Sequence, residues 1–241
     1  MRTAILSDIH GNLLALQAVV ADAEARGCTR FLNLGDILSG PLWPAETADF
    51  LMARGWPTIA GNHERQVLTQ APERMNASDA FTHARLSEAQ LAWMAALPST
   101  LAFEDVFLCH GTPAGDVEPF LETIEPAGLR RATPAEVAER LGDRPEPLTL
   151  CGHSHLPGQT LLADGRTVAN PGSVGLQAYD DDRPFPYIVE TGDPQARYAI
   201  LEAGTLSFHT VAYDYPAAAA KAAREGRADW AHALATGRVG R

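Results

Sequence analysis

The sequence predicts an α/β fold, on three observations. Apolar runs of about four residues recur at 3–6, 31–34, 57–60, 106–109 and 148–151, each the length of a buried strand. Residues at helical spacing separate several of them, the pattern of a parallel sheet crossed by helices. At 241 residues the chain has the size of one full domain. Each run ends in a polar cluster: Asp8-Ile9-His10, Gly35-Asp36, Gly61-Asn62-His63-Glu64, His110-Gly111 and Gly152-His153-Ser154-His155. In α/β sheets ligands bind outside the carboxyl ends of the strands, so the fold would gather these clusters on one edge.

The elements follow in order. Leu13, Leu14, Leu16, Val19 and Val20 recur at helical spacing after the first cluster, and Gly27 sits where a C-cap belongs, giving a β-α-β unit into the second run. A second helix over 45–54 stops at Gly55 and feeds the third run through a parallel crossover. Ser87-Glu88-Ala89-Gln90 reads as a capping box opening a helix to about Leu97. Residues 111–147 are less regular and read as an insertion beside the site, with one helix signal from Thr133-Pro134-Ala135-Glu136 to about Leu141. Beyond Ser173 the strand-like runs 195–202 and 205–212 flank Ala203-Gly204, a hairpin whose antiparallel strands complete the core. Residues 215–236 are Ala-rich and helical in two pieces interrupted near Gly226. Residues 1–241 are expected to form a single domain without repeats.

Composition narrows the function. A net charge of −11 and a pI near 5.1 speak against extended contact with a nucleic-acid backbone, which needs clustered Lys and Arg, and so against long polynucleotides. A small phosphate ligand stays open, because divalent cations reverse the local field. No apolar stretch approaches the roughly 20 residues of a membrane helix, and Met1-Arg2-Thr3 runs directly into a strand, so a cytoplasmic protein is expected. Cys28, Cys109 and Cys151 form no metal-like pair and read as reduced, buried thiols.

The clusters carry ligand chemistry. Asp8 and His10 lie two apart, so an extended strand end would turn both the same way. Asp36 adds a carboxylate able to bridge two cations, Asn62 a neutral amide oxygen, and His110, His153 and His155 imidazoles. Any one cluster alone reads as a turn or a cap. Jointly they hold five of the chain's eight histidines and make a ligand set for two divalent ions about 3.5–4 Å apart, the arrangement of two-metal phosphoryl chemistry.

In this order the clusters match D-x-H, G-D, G-N-H-[DE], H and G-H-x-H, and over residues 3 to about 175 the chain resembles the calcineurin-like metallophosphoesterase superfamily. The resemblance implies a four-layer α/β/β/α sandwich of two mixed β-sheets flanked by helices. It implies one ion held by Asp8, His10, Asp36 and His155, and a second by Asp36, Asn62, His110 and His153. His63 would contact the substrate phosphate and protonate the leaving oxygen, acting with Asp36 and Asn62 in catalysis. The implied reaction is hydrolysis of a phosphoric ester by in-line attack of a metal-bridging hydroxide. Manganese is the first expectation for both ions; Fe, Zn, Ni and Co also accept such mixed sites.

Residues 35–41 lack the arginine that the Ser/Thr protein phosphatase branch carries soon after its bridging aspartate, and none follows until Arg54. Residues 8–16, with Asn170-Pro171-Gly172-Ser173-Val174-Gly175, look more like the small bacterial phosphodiesterases of the superfamily and relatives that cleave dinucleoside polyphosphates. Small phosphodiesters or nucleotides are therefore the expected substrates. A protein-phosphatase-like phosphomonoesterase stands second, and a catalytically silent metal-binding module third. Residues 170–175 could offer backbone amides to a phosphate. Residues 179–187 could form a lid whose aromatics stack on a base, and Arg65 could touch the phosphate. Trp230 and Leu234 in the C-terminal helices could pack on the chain's own sheet or on a second copy in a homo-oligomer.

Overall fold

Strand alternation sorts the first strands between two cores, and the layering follows from it. The computed structural model describes residues 1–240. β1 (Arg2–Leu6) turns Ala4 and Leu6 into one apolar cluster and Ile5 into another; β2 (Cys28–Asn33) divides Phe31 and Leu32 the same way. Between them α1 (Leu13–Ala25), capped by the Asn12 side chain, lays Leu16, Val19 and Val20 on the first cluster. α2 (Pro44–Met52) adds Ala48 and Leu51 there. α3 (Asn62–Thr69), a 3-10 turn at Pro72–Arg74 and α4 (Ala77–His83) lead to α5 (Glu88–Ala95), which adds Met94 and starts with the expected Ser87/Gln90 capping box.

The second sheet repeats the rule. After β3 (Thr100–Phe103), β4 (Val106–Cys109) sends Val106 and Leu108 into the inner cluster with Ile5 and Leu32, and Phe107 and Cys109 to a third cluster outside. The hairpin β5 (Glu122–Glu125) and β6 (Gly128–Arg131) precedes α6 (Pro134–Leu141), whose Val137 and Leu141 cover that outer face. β7 (Leu148–Leu150), β8 (Gly158–Leu161) and β9 (Thr167–Asn170) complete the sheet. A second hairpin, β10 (Ala178–Asp181) and β11 (Tyr187–Glu190), is followed by β12 (Ala196–Glu202), β13 (Thr205–Val211), α7 (Tyr215–Arg224) and α8 (Ala228–Thr236). The sheets run β13-β12-β1-β2 and β3-β4-β7-β9-β8, each mixing parallel and antiparallel pairs. Helices α1, α2 and α5, the two sheets and α6 are thus stacked as the expected α/β/β/α sandwich.

One expectation changes and two open readings narrow. Residues 57–60 form no strand but a single parallel bridge, Asn33 to Thr58. Asn33 bonds Pro57 O and Ile59 N, after which Ala60 N turns away to Pro98 O at 2.8 Å, so the run cannot extend the ladder. Residues 179–187 belong to the β10–β11 hairpin, where Tyr187 is buried and Tyr179 packs edge-on at 4.7 Å from His155; these two rings are spent on packing, while Phe185 between the strands is 40% exposed. Leu234 is fully buried and Trp230 8% exposed, in a cluster with Leu42, Leu176 and Ala178, so the apolar face of α8 is used within the chain. The three cysteines are free and buried, as expected. No helix among the described residues is long and apolar enough to cross a membrane.

Candidate metal centre

The loops after β1 and β2 keep pairing beyond the last strand residue: Asp8 N donates to Gly35 O, His10 N to Asp36 O and Gly11 N to Ile37 O, at 2.9–3.0 Å. The backbone is nevertheless not extended there. Asp8, His10 and Asp36 sit at φ of 54°, 52° and 52°, and His153 and His155 at 68° and 59°. Left-handed residues two apart, not an extended strand end, therefore aim Asp8 and His10 into one pocket. Each such residue costs on the order of 1–3 kcal/mol, and five of the seven non-glycine cases among the described residues are candidate ligands. Surrounding hydrogen bonds hold this strain in place. Glu64, given no role from sequence, is buried and accepts from Asp36 N at 2.8 Å, Ile37 N at 2.9 Å and Gly61 N at 2.8 Å, pinning the Asp36 turn to the start of α3.

The segment 170–176 braces the other turn. Ser173 Oγ and Gly175 N donate to Asp8 O at 2.8 and 2.9 Å, and Val174 N donates to Ser7 O. Gly172 N donates to Asn170 Oδ1 and Leu176 N to Ser173 Oγ. The amides of Gly172, Val174, Gly175 and Leu176 are committed within the protein, so this segment acts as a bracket. Arg65 likewise reaches no ligand pocket: it makes a forked ion pair with Asp116, at 2.7 and 2.8 Å.

Two ligand groups result. The ligand atoms of Asp8, His10 and His155 lie within 4.8 Å of one another, as do those of Asp36, His110 and His153. Backbone carbonyls fix the tautomers, because a carbonyl can only accept. Nδ1 of His10 bonds Ser39 O, Nδ1 of His155 bonds Leu176 O and Nδ1 of His110 bonds Leu34 O, at 2.7–2.8 Å, which leaves each Nε2 with a lone pair. His153 is reversed, Nε2 donating to Val117 O at 2.9 Å and Nδ1 facing inward. Acceptors then face acceptors: His10 Nε2 lies 3.0 Å from His155 Nε2, and His110 Nε2 3.0 Å from Asp36 Oδ2. The Asn62 oxygen points at His153 Nδ1, His110 Nε2 and Asp36 Oδ2, 3.0–3.2 Å away. Turned over, its amide would donate to all three; the oxygen-inward pose is the one a cation rewards. Asp8 Oδ2 is buried without any partner. Such convergence of lone pairs fits divalent cations.

The domain model described as the calcineurin-like phosphoesterase superfamily matches residues 1–202. The chain belongs to this superfamily. A metallophosphoesterase from Sphaerobacter thermophilus superposes with a TM-score of 0.76 at 24% identity, covering 98% of this chain and 99% of its own. A hypothetical protein from Pyrococcus horikoshii does so at 0.74 and 18%, covering 99% of each. These two share the fold. An uncharacterized protein of Methanocaldococcus jannaschii is 28% identical over 197 residues, 71% of this chain and 75% of that protein.

Burial is the first influence on His10, His153, His110 and Asp36. Burial, with His155 beside it, pulls His10 down to about 3; burial, with His110 beside it, pulls His153 down to about 4. For His110 burial acts downward too, but the Asp36 carboxylate outweighs it and lifts the imidazole to about 10. Burial pushes Asp36 up, and His110, His63 and His10 more than reverse that, holding it well below the usual carboxylate range. Without an ion, then, a proton on His110 takes the cation's place.

Two glycines admit the carboxylates. A Cβ on Gly61 would overlap Asp36 Oδ1, and one on Gly152 would overlap Ser7 Oγ and meet Asp8 Oδ2 at 3.0 Å. Gly61→Ala is expected to weaken ion binding by about 10–100-fold, the scale of disturbing a group that orients a ligand, as read by calorimetric metal titration; unchanged affinity would show that the contact is slack.

His63 lies outside both groups. Its N–H donates to Asp36 Oδ1 at 3.0 Å, and its Nδ1 lies 2.7 Å from Asp79 Oδ1, which also accepts from Ser39 Oγ at 2.6 Å. Burial lowers its pKa, but Asp36 and Asp79 prevail and raise it to about 9. Asp79, on α4, has no motif around it in the sequence. Its only local signal is Asn76, whose side chain caps α4 and donates to Asp79 Oδ2 at 2.7 Å. The pockets open into a cleft of ≈ 980 Å³ walled by Arg74, Arg183 on the β10–β11 hairpin, and Trp230 on α8.

Proposed function

We propose that the chain is a two-metal phosphoesterase that hydrolyses small phosphodiesters or nucleotides. The observation that carries this reading is the facing of lone pairs across two adjacent ligand groups, which divalent cations would reconcile in both groups at once. Asp8, His10, Asp36 and His155 would hold one ion, and Asp36, Asn62, His110 and His153 the other, Asp36 serving both. Mn²⁺ is the first candidate, with Fe, Zn, Ni and Co also suited. Such ions supply a nucleophilic water at neutral pH and offset charge on the phosphate oxygens.

The chain's own residues do the rest. The Asp79 carboxylate takes the His63 Nδ1 proton as a hydrogen bond and leaves Nε2 toward the cleft. His63, protonated at neutral pH, gives its Nε2 proton to the leaving oxygen. Glu64 and the 170–176 bracket keep the Asp36 and Asp8 turns from relaxing. The cleft supports a small substrate, since its volume is that of ordinary small-molecule sites and the hairpin and α8 wall it on two sides. Arg183 and Arg227 in the cleft face Asp182 and Asp229, which leaves Arg74, on the 3-10 turn, as the arginine placed to meet an anionic ligand. A reducing cytoplasm suits the three free thiols.

Ion loading has a pH signature. The ion-free group binds a proton at His110 up to about pH 10, so an arriving ion displaces it. Apparent affinity is expected to rise about tenfold per pH unit between pH 6 and 8 for one proton displaced. Metal titrations at three pH values check this, and a flat profile would exclude a protonated His110.

The proposed activity is tested by hydrolysis of bis-p-nitrophenyl phosphate beside p-nitrophenyl phosphate, with stripped protein reloaded with Mn²⁺ and an Asp36→Asn control. Metal-dependent cleavage that favours the diester supports the proposal. Preference for the monoester would favour a protein-phosphatase-like activity, and no turnover with any metal would favour a silent binding module.

A further inference from the structure

We propose that the Arg65–Asp116 ion pair is a positioning clasp for the second ion, the one assigned to Asp36, Asn62, His110 and His153; the inference rests on the two-ion reading and deepens it. Among those ligands His153 alone presents Nδ1, and it does so because Nε2 donates to Val117 O at 2.9 Å. The placement of one carbonyl therefore decides which nitrogen of His153 faces the ion.

The Val117 side chain does not fix that carbonyl, being 56% exposed. The loop backbone is set by its own Thr112–Gly115 bridge, by contact with Gly111, where a Cβ would meet Glu118 O at 2.8 Å, and by two ion pairs. Glu118 pairs with Arg140 through a single contact at 3.1 Å. Asp116, by contrast, is held by both arms of the Arg65 fork at 2.7 and 2.8 Å. Arg65 belongs to α3, the helix that begins with Asn62 and His63. The loop itself departs from His110. The pair thus closes a ring from α3 through Asp116 and Val117 to His153, and every ligand of the second ion except Asp36 stands on or beside that ring. His10 and His155 are oriented instead by Ser39 O and Leu176 O, and Asp8 meets the ring only at the His153 backbone, whose N–H donates to Asp8 Oδ1 at 3.2 Å.

Breaking the clasp should spare the fold. Arg140 separately ties Phe120 O and Glu122 O at 3.0 and 2.9 Å, and Phe120 and Leu121 are buried, so the far end of the loop is anchored without Arg65. The effect should fall on one ion only, and on the His153 tautomer.

Asp116→Asn and Arg65→Met are compared with wild type by calorimetric Mn²⁺ titration and by ¹⁵N histidine NMR of the ion-free protein at pH 7, where His153 is neutral. The expected result is about 10–100-fold weaker binding of one ion with the other unchanged, and a mixed His153 tautomer in place of pure Nε2–H. Arg65→Lys, which keeps the charge but not the fork, should fall between. Unchanged affinity for both ions with pure Nε2–H, or equal loss of both ions, would overturn the clasp. A wild-type chain that binds no ion would reject the two-ion reading instead, and the tautomer comparison would still decide the clasp.

Discussion

Asp36→Asn is expected to remove both ions and to lower kcat/KM by more than about a hundredfold, the loss typical of removing one well-placed electrostatic group. Asp36 Oδ2 lies 3.0 Å from His110 Nε2, and Oδ1 accepts from His63 N at 3.0 Å, so one carboxylate touches the second ligand group and the acid. Asparagine preserves its volume and the His63 contact while deleting the charge. The folded protein should therefore persist, with an unchanged circular dichroism spectrum. Metal analysis after gel filtration reads the outcome. Two retained ions with full turnover would reject the assignment of Asp36 as the shared ligand.

His63→Ala should leave both ions bound and cost about 10²–10⁴-fold in rate on a nucleotide or alkyl leaving group. The loss on a nitrophenyl ester should be far smaller, because nitrophenolate departs without a proton. Equal losses would refute a proton-donor role. In the ion-free protein the folded pKa of His63 is raised to about 9, so the protonated form dominates below that value and is lost as pH rises through it. Bound cations offset part of the pull of Asp36 and shift this limb to lower pH. The kcat profile of wild type should thus fall on its alkaline side, and that limb should vanish in His63→Ala. Asp79→Asn should give the same leaving-group dependence with a smaller loss, since it removes what orients the ring and not the ring itself.

The ligand clusters were legible because each follows an apolar run whose burial places it at a strand end, and because histidine is scarce enough elsewhere for the grouping to stand out. The buried strands 3–6 and 106–109 were legible too as continuous apolar runs, but which core each residue enters shows only once two sheets are stacked. Other features leave no periodic trace. Left-handed geometry at Asp8 and His10 comes from pairing between two loops and is invisible in the local sequence. Asp79 reaches His63 from a short helix whose only signature is the Asn76 cap. Residues 57–60 read as a strand by composition, yet pairing with Pro98 takes the backbone away from the sheet. Glu64 stood in view within Gly-Asn-His-Glu, but three backbone amides converging on one buried carboxylate appear only when β2 and α3 are brought together.

The central claim is that two ions share Asp36. Anomalous diffraction from crystals soaked in Mn²⁺ tests it most directly. Two peaks about 3.5–4 Å apart are expected, one beside Asp8, His10 and His155 and one beside Asn62, His110 and His153, with Asp36 between them. A single peak, or two that Asp36 does not touch, would contradict the account.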